Sequence, residues 1–122
     1  MTPTELQERV EEVLPGIAER AERCERERRV PEESMKALVE AGVTRAFQPA
    51  RWGGSELHPL EVFEAISRLG EACASTAWAT SILSVHSWQL AMFSLATQEE
   101  VWGDDPTTLV SSSYAPTGTI EV

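Results

Sequence analysis

The 122 residues contain only two cysteines and two histidines. So few, widely spaced along the chain, they suggest neither a disulfide framework nor a metal-ligand cluster. Cys24 and Cys73 are read as buried or half-buried free thiols, and no metal is expected at His58 or His86. Basic charge is scarce as well. Ten Lys and Arg stand against twenty Asp and Glu, a formal net charge of −10. Phosphate binding needs a basic face, so nucleic acid is excluded as a partner. No apolar run is long enough to cross a bilayer. The opening "MTPTELQERVEE" lacks the apolar core of a signal peptide. No membrane partner is expected, and the cytoplasm is the default compartment. The chain also lacks internal repeats and low-complexity tracts.

What is present suits a globular domain. The apolar fraction is 42% and the charged fraction 25%, both ordinary values. The length supports one domain with its own core. The acidic excess lies mostly in the first forty residues and alternates with Arg in "ERAERCERERR". That pattern reads as a solvated helix face carrying i,i+4 pairs.

Helix signals dominate the chain. Thr2-Pro3-Thr4-Glu5 combines a cap, a first-turn proline and a capping-box glutamate. Leu6, Val10, Val13, Leu14, Ile17, Ala21 and Cys24 then fall on one helical stripe. Pro15 lies within it and is expected to kink this helix without ending it. "RRVPEES" breaks the helix. Pro31 opens a second, with Met35 and Leu38 inward, and Gly42 closes it. "VTRAFQPARWGGSELHP" is a long loop, of the kind that is functional or packed against something else. A third helix starts near Pro59 and carries Val62, Phe63, Ile66 and Leu69. After "GEACAST", Ser75 or Thr76 caps a fourth, "AWATSILSVHSWQLAMF". It is apolar nearly all round, which predicts burial in a larger body than 122 residues easily provide. Thr97 and Glu100 form a box for the short helix "QEEVWG". "DDPTT" is a turn, and "LVSSSY" has strand composition. A lone strand needs a partner, and no other segment supplies one. Either the segment is irregular, or its sheet lies in further chain.

"EAGVTRAFQPARWGG", "ACASTAWATSILSVHSWQ" and "VWGDDPTTLVSSSYAPTG", in that order, resemble the N-terminal helical domain of the acyl-CoA dehydrogenase fold. Arg51-Trp52-Gly53-Gly54 marks that superfamily broadly. Ser75 to Trp78, Val85 to Trp88 and Ser111 to Gly118 are more discriminating. They are similar to the two-component flavin-dependent monooxygenases, in particular to oxygenase components that hydroxylate phenols in steroid degradation. The fold class expected from this resemblance is mainly α. Residues 1–106 form the helical domain, and 107–122 begin a central flavin-binding β domain. The resemblance further implies a homotetramer, and reduced FMN or FAD delivered by a separate flavin reductase. The reaction it implies is ortho-hydroxylation of a phenolic substrate, with a catalytic His in a C-terminal bundle outside this chain. No catalytic residue is therefore assigned here, and the 122 residues alone are expected to be inactive. Tyr114-Ala115-Pro116 departs from the Thr-Glu-Pro run of acyl-CoA dehydrogenases, which stand as the alternative together with other flavoenzymes of the fold. A non-enzymatic helical interaction module is the third reading.

By the same resemblance, Trp78, Ser112, Ser113 and Tyr114 contact the flavin. Residue chemistry agrees. Ser hydroxyls and backbone N–H groups suit the polar edge of the ring, and an indole suits its face. A half-exposed strand would also explain the serines, and a core position would explain Trp78. His86, in an apolar helix, is either a core histidine with one hydrogen bond or a group that binds the phenol hydroxyl. Trp88 and Trp102 are read as packing residues. Arg51 and Trp52 would shape a pocket entrance, unless Arg51 is simply solvated.

Overall fold

Thr2 starts the first helix as its sequence dictates. Its hydroxyl accepts from the Glu5 N–H at 3.2 Å, and its own N–H donates to the Glu5 carboxylate at 2.6 Å. In this computed structural model, which describes residues 1–115, 117–119 and 121, six helices follow. They are α1 (Pro3–Glu19), α2 (Ala21–Glu27), α3 (Glu32–Ala41), α4 (Pro59–Ala72), α5 (Ala74–Leu90) and α6 (Leu95–Trp102).

The break in the first helical run comes at Arg20 and not at Pro15. Pro15 sits inside α1, flanked by buried Val10 and Ile17, and burial on both sides keeps the helix going. Arg20 leaves helical geometry (φ −93°, ψ 1°), and its guanidinium donates to Ser34 of α3 at 2.8 Å. The apolar stripe survives the break, because Cys24 of α2 is buried too. Gly42 closes α3 at φ 87°, a left-handed conformation that glycine adopts without strain. Leu38 is buried as expected, while Met35 is half-buried and Ser34 takes the deeper position.

The long loop is packed. It contains 3₁₀ turns at Val43–Arg45 and Ala50–Trp52, and Val43, Thr44, Ala46, Phe47 and Gln48 are all buried. The Gln48 amide donates to the carbonyls of Trp52 and Pro106, at 3.1 and 2.8 Å. Gly54 lies so close that a Cβ there would sit 2.0 Å from the Gln48 carbonyl oxygen.

Caps differ from expectation at α5 and α6, and α4 takes one the sequence reading does not name. His58 caps α4: its Nδ1 accepts from the Leu60 N–H at 3.3 Å, and Glu61 accepts from the His58 N–H at 3.1 Å. Neither Ser75 nor Thr76 caps α5. Cys73 holds that position without a side-chain bond, because the Ser75 hydroxyl is bonded to Glu25 and Thr76 reaches the cysteine sulfurs. Ser94, not Thr97, caps α6, accepting from the Thr97 N–H at 3.3 Å.

α4 packs on α1 and on α5, and α3 packs on α1. Leu6, Val10, Ile17, Leu38, Val62, Ala65 and Leu69 meet in the core between them. Trp102 is fully buried, and its indole N–H donates to the Thr108 carbonyl at 3.2 Å. Phe63, expected inward, is 48% exposed and lies edge-on to Phe47. The "LVSSSY" segment does not form a strand. Among the described residues there is no β-ladder, and extended backbone without a partner has none to make.

Candidate functional site

The fourth expected helix is α5, and it is not buried all round as the sequence suggests. Small hydroxyl residues face inward, and large aromatics face out. Thr80 donates to the Thr76 carbonyl at 2.8 Å, and Ser84 to the carbonyls of Thr80 and Val43, each at 2.9 Å. Ser87 donates to the Thr44 carbonyl at 3.3 Å. Buried hydroxyls must find partners, and here they take backbone carbonyls, fastening the 43–44 turn against α5. The outer face carries Trp78, 71% exposed, and Trp88, 48% exposed. Trp88 is thus a surface residue, not the packing residue the sequence suggested. Met92, Phe93 and Leu95 continue the apolar surface past the helix end.

His86 is buried on α5. Its Nδ1 lies 2.7 Å from the Ile82 carbonyl, four residues back. A carbonyl only accepts, so Nδ1 carries the hydrogen. In the neutral ring, Nε2 is then an acceptor. Ser112 Oγ stands 2.6 Å from it and donates. The serine's lone pairs remain free for a further donor.

The segment after α6 brings Ser112 to this place. Asp105 accepts from the Thr107 hydroxyl and N–H at 2.6 and 2.8 Å, and those bonds hold its carboxyl below its usual range. Gln48 and Trp102 then hold the carbonyls of Pro106 and Thr108. Tyr114 lies over His86, with ring centroids 5.5 Å apart and an interplanar angle of 35°. Its hydroxyl donates to Gln89 Oε1 at 2.9 Å. Ser113 is exposed, and its Oγ accepts from the Ala115 N–H at 3.1 Å.

One concavity borders this cluster, and a second adjoins the first at Trp88. One, of about 440 Å³, is lined by Trp88, Gln89, Met92, Phe93 and Tyr114. The other, of about 240 Å³, is lined by Phe47, Pro59, Phe63, Val85 and Trp88 and is wholly apolar. Trp88 forms a wall of both.

The predicted residues thus divide into two groups. His86, Ser112 and Tyr114 come together. Trp78 stands apart, eight residues and so about two turns before His86 on α5, and the Ser113 hydroxyl bonds the Ala115 N–H and not the pair. Gln89 carries no signal of its own in the sequence, although its position three residues after His86 places it on the neighbouring face. Trp52 is fastened by its indole N–H to Gln98 Oε1 at 3.0 Å, and Arg51 is exposed, so neither shapes these concavities.

A flavin ring needs a flat apolar contact for its face and hydrogen-bonding groups along one edge. The free indole of Trp78 offers the first, and the exposed backbone and hydroxyl around Ser113 offer the second. The Ser112 hydroxyl donates to His86, and its lone pairs stay open to a further donor. Among the described residues, no three His, Cys, Asp or Glu side chains are grouped to hold a metal ion.

Residues 3–105 match the acyl-CoA dehydrogenase N-terminal domain. The chain is 46% identical over 115 residues to "Flavin-dependent monooxygenase, oxygenase subunit HsaA" of Rhodococcus jostii, covering 94% of this chain and 30% of that protein. It is 48% identical over 114 residues to the oxygenase component of p-hydroxyphenylacetate 3-hydroxylase of Acinetobacter baumannii, covering 93% of this chain and 27% of that one. The crystal structure of the HsaA monooxygenase from M. tuberculosis superposes with a TM-score of 0.92 at 45% identity, over 95% of this chain and 32% of that chain. The chain therefore spans less than a third of the length of these relatives.

Proposed function

The chain belongs to the acyl-CoA dehydrogenase N-terminal domain family, and on that premise we propose that it serves the oxygenase component of a two-component flavin-dependent monooxygenase that ortho-hydroxylates a phenol. The observation that carries this reading is the His86–Ser112 pair beside an aromatic-lined concavity. Relatives named as flavin-dependent monooxygenases and as a hydroxyphenylacetate hydroxylase support it.

The pair binds a phenol in a defined sense. The Ile82 carbonyl fixes the imidazole tautomer, and Nε2 takes the Ser112 hydrogen. Ser112 Oγ is left to accept from the phenol O–H. As that proton moves to Oγ, the serine proton moves to Nε2, and the ring gains the electron density that favours attack at its ortho carbon. Tyr114 and Trp88 offer aromatic surface to the substrate ring. When bound, reduced flavin supplies the electrons and, with dioxygen, the oxygen atom that is inserted. Trp78 and the backbone around Ser113 would hold it.

Finer features belong to the same reading. The substrate is a steroid-derived phenol, and the cofactor is FMN or FAD brought reduced by a separate reductase. The assembly is a homotetramer in the cytoplasm. Residues 1–106 act as the helical domain, and residues 107–122 begin the flavin-binding β domain. The last helix ends at Trp102, and no helix follows among the described residues, which supports that division.

The experiment grafts this chain in place of the matching segment of the Rhodococcus jostii oxygenase subunit and supplies reduced flavin enzymatically. Phenol-dependent incorporation of ¹⁸O₂ is the expected result. Unchanged hydroxylation after His86→Ala and Ser112→Ala would overturn the assignment of the pair.

A further inference from the structure

The two cysteines lie 49 positions apart in sequence, yet the fold brings both to one side chain. The Thr76 hydroxyl is 3.1 Å from Cys73 Sγ and 3.8 Å from Cys24 Sγ. Cys24 is on α2, and Cys73 is the residue between α4 and α5. Both are buried and unbridged. The backbones on either side are fastened as well, since α2 packs on α5 and the Ser75 hydroxyl is bonded to Glu25. A separate open concavity of about 310 Å³ reaches the Cys24 side of the pair, lined also by Arg28, Arg29, Val30 and Ser75. The His86 site uses none of these residues.

We propose that Cys24 and Cys73 form a dithiol site that hydroperoxides oxidise to an intrachain disulfide. The concavity admits a molecule the size of hydrogen peroxide to Cys24. The Cys24 sulfur attacks one peroxide oxygen, the O–O bond breaks, and Cys24 becomes a sulfenic acid as one water leaves. The Cys73 sulfur then attacks the Cys24 sulfur. The S–S bond forms, the S–O bond breaks, and the hydroxyl departs with the Cys73 proton as a second water. Two thiols are oxidised by two electrons, and one peroxide is reduced to two waters.

Two features give the site its character. Burial pushes the Cys24 thiol up from its ordinary value, against the Thr76 hydrogen bond, which lowers it. The thiolate is therefore scarce at neutral pH, and the site answers to sustained oxidant and not to a brief pulse. The bridge would also close a loop of about fifty residues, which constrains the unfolded chain. It ties α2 to the start of α5, one turn before Trp78. This inference does not depend on the flavin reading.

The test is made on the protein as it stands, exposed to hydrogen peroxide, then denatured, alkylated and mapped without reduction. The expected result is a Cys24–Cys73 linked peptide lacking two hydrogens, a raised Tm, and return of both properties on treatment with dithiothreitol. In Cys73→Ser, Cys24 is expected to accumulate as a sulfenic acid that dimedone traps, several-fold above wild type. Both cysteines remaining fully alkylated after peroxide would overturn the proposal. So would disulfides found only between copies, or Cys24 passing to sulfinic and sulfonic acid with no bridge. Equal dimedone labelling in wild type and Cys73→Ser would do the same.

Discussion

His86 Nε2 and Ser112 Oγ meet at 2.6 Å across 26 positions of sequence. Every contact that fixes the histidine's other nitrogen is local, while its reactive nitrogen is answered from the far end of the chain. The tautomer is accordingly set by α5 alone. In ¹⁵N-edited NMR spectra of the neutral imidazole, the Nδ1–H form of His86 is expected. Ser112→Ala should leave that form in place, because the Ile82 carbonyl still accepts. An Nε2–H signal in wild type would contradict the geometry.

In the grafted oxygenase, Ser112→Ala removes one hydrogen bond to the substrate. A loss of about 0.5–1.5 kcal/mol is expected, which is up to about tenfold in phenol affinity. Reduced-flavin affinity should not change. Trp78→Ala is expected to do the opposite, weakening reduced flavin and sparing the phenol. Anaerobic titrations with each ligand separate the two effects. If both variants affect the same ligand, the division of the site is wrong.

Gly54 is expected to be intolerant of any side chain. A Cβ there would meet the Gln48 carbonyl at 2.0 Å, and that contact is to backbone, which cannot swing aside. Gly54→Ala should cost on the order of 1–3 kcal/mol, the range for overpacking. Leu69→Ala, fully buried on α4, should cost about 2–5 kcal/mol through the cavity it leaves. Urea unfolding followed by circular dichroism measures both.

Acid should loosen the helix contacts. The Glu11 carboxyl is held below the ordinary 4.5 by its hydrogen bond to Arg68, and Glu33 likewise by Arg23. Glu5 is held down first by the Thr2 backbone N–H. A carboxylate with a depressed folded-state value adds stability above its unfolded value and loses it as pH falls through the folded one. Stability is therefore expected to be level above about pH 5 and to decline below it. These groups are exposed, so each contribution is modest. Arg68→Met should flatten the decline by removing the Glu11 share, as read from urea midpoints between neutral and acid pH.

The aromatic outer face should make the 122-residue chain adhesive. Trp78, Trp88, Met92, Phe93 and Leu95 are all exposed, and contiguous apolar surface of this kind seeks cover. Self-association in sedimentation and binding of a hydrophobic dye are expected. Replacing Trp78 and Trp88 with Lys should reduce both. A monomer that binds no dye would show the face to be harmless.

Local signals were legible in the sequence, and distant ones were not. Thr2, Gly42 and the stripe from Leu6 to Cys24 are read from neighbours within a few residues. The His58 cap is not legible, because an imidazole seldom takes that role, although Pro59 and Glu61 flank it. The face that α5 presents is not legible for a different reason. Ser and Thr can satisfy themselves on carbonyls of their own helix, so composition does not say which side they take. Only the Val43 and Thr44 carbonyls, brought by the loop, make the inner side the polar one. His86 and Ser112 were each singled out, but nothing periodic joins a helix to an extended segment. Their pairing had to await the fold.

The clamps on Pro106 and Thr108 have a consequence for Ser112. Gln48 and Trp102 grip those two carbonyls, so the serine is on a leash only four residues long. At about 3.3–3.6 Å per residue, it can stray little more than 13 Å from its anchor. His86 therefore meets its partner as a tethered neighbour, at an effective concentration that a short linker sets in the millimolar range or above. A loop glutamine and an indole on α6, neither touching the histidine, determine how often its proton donor is at home.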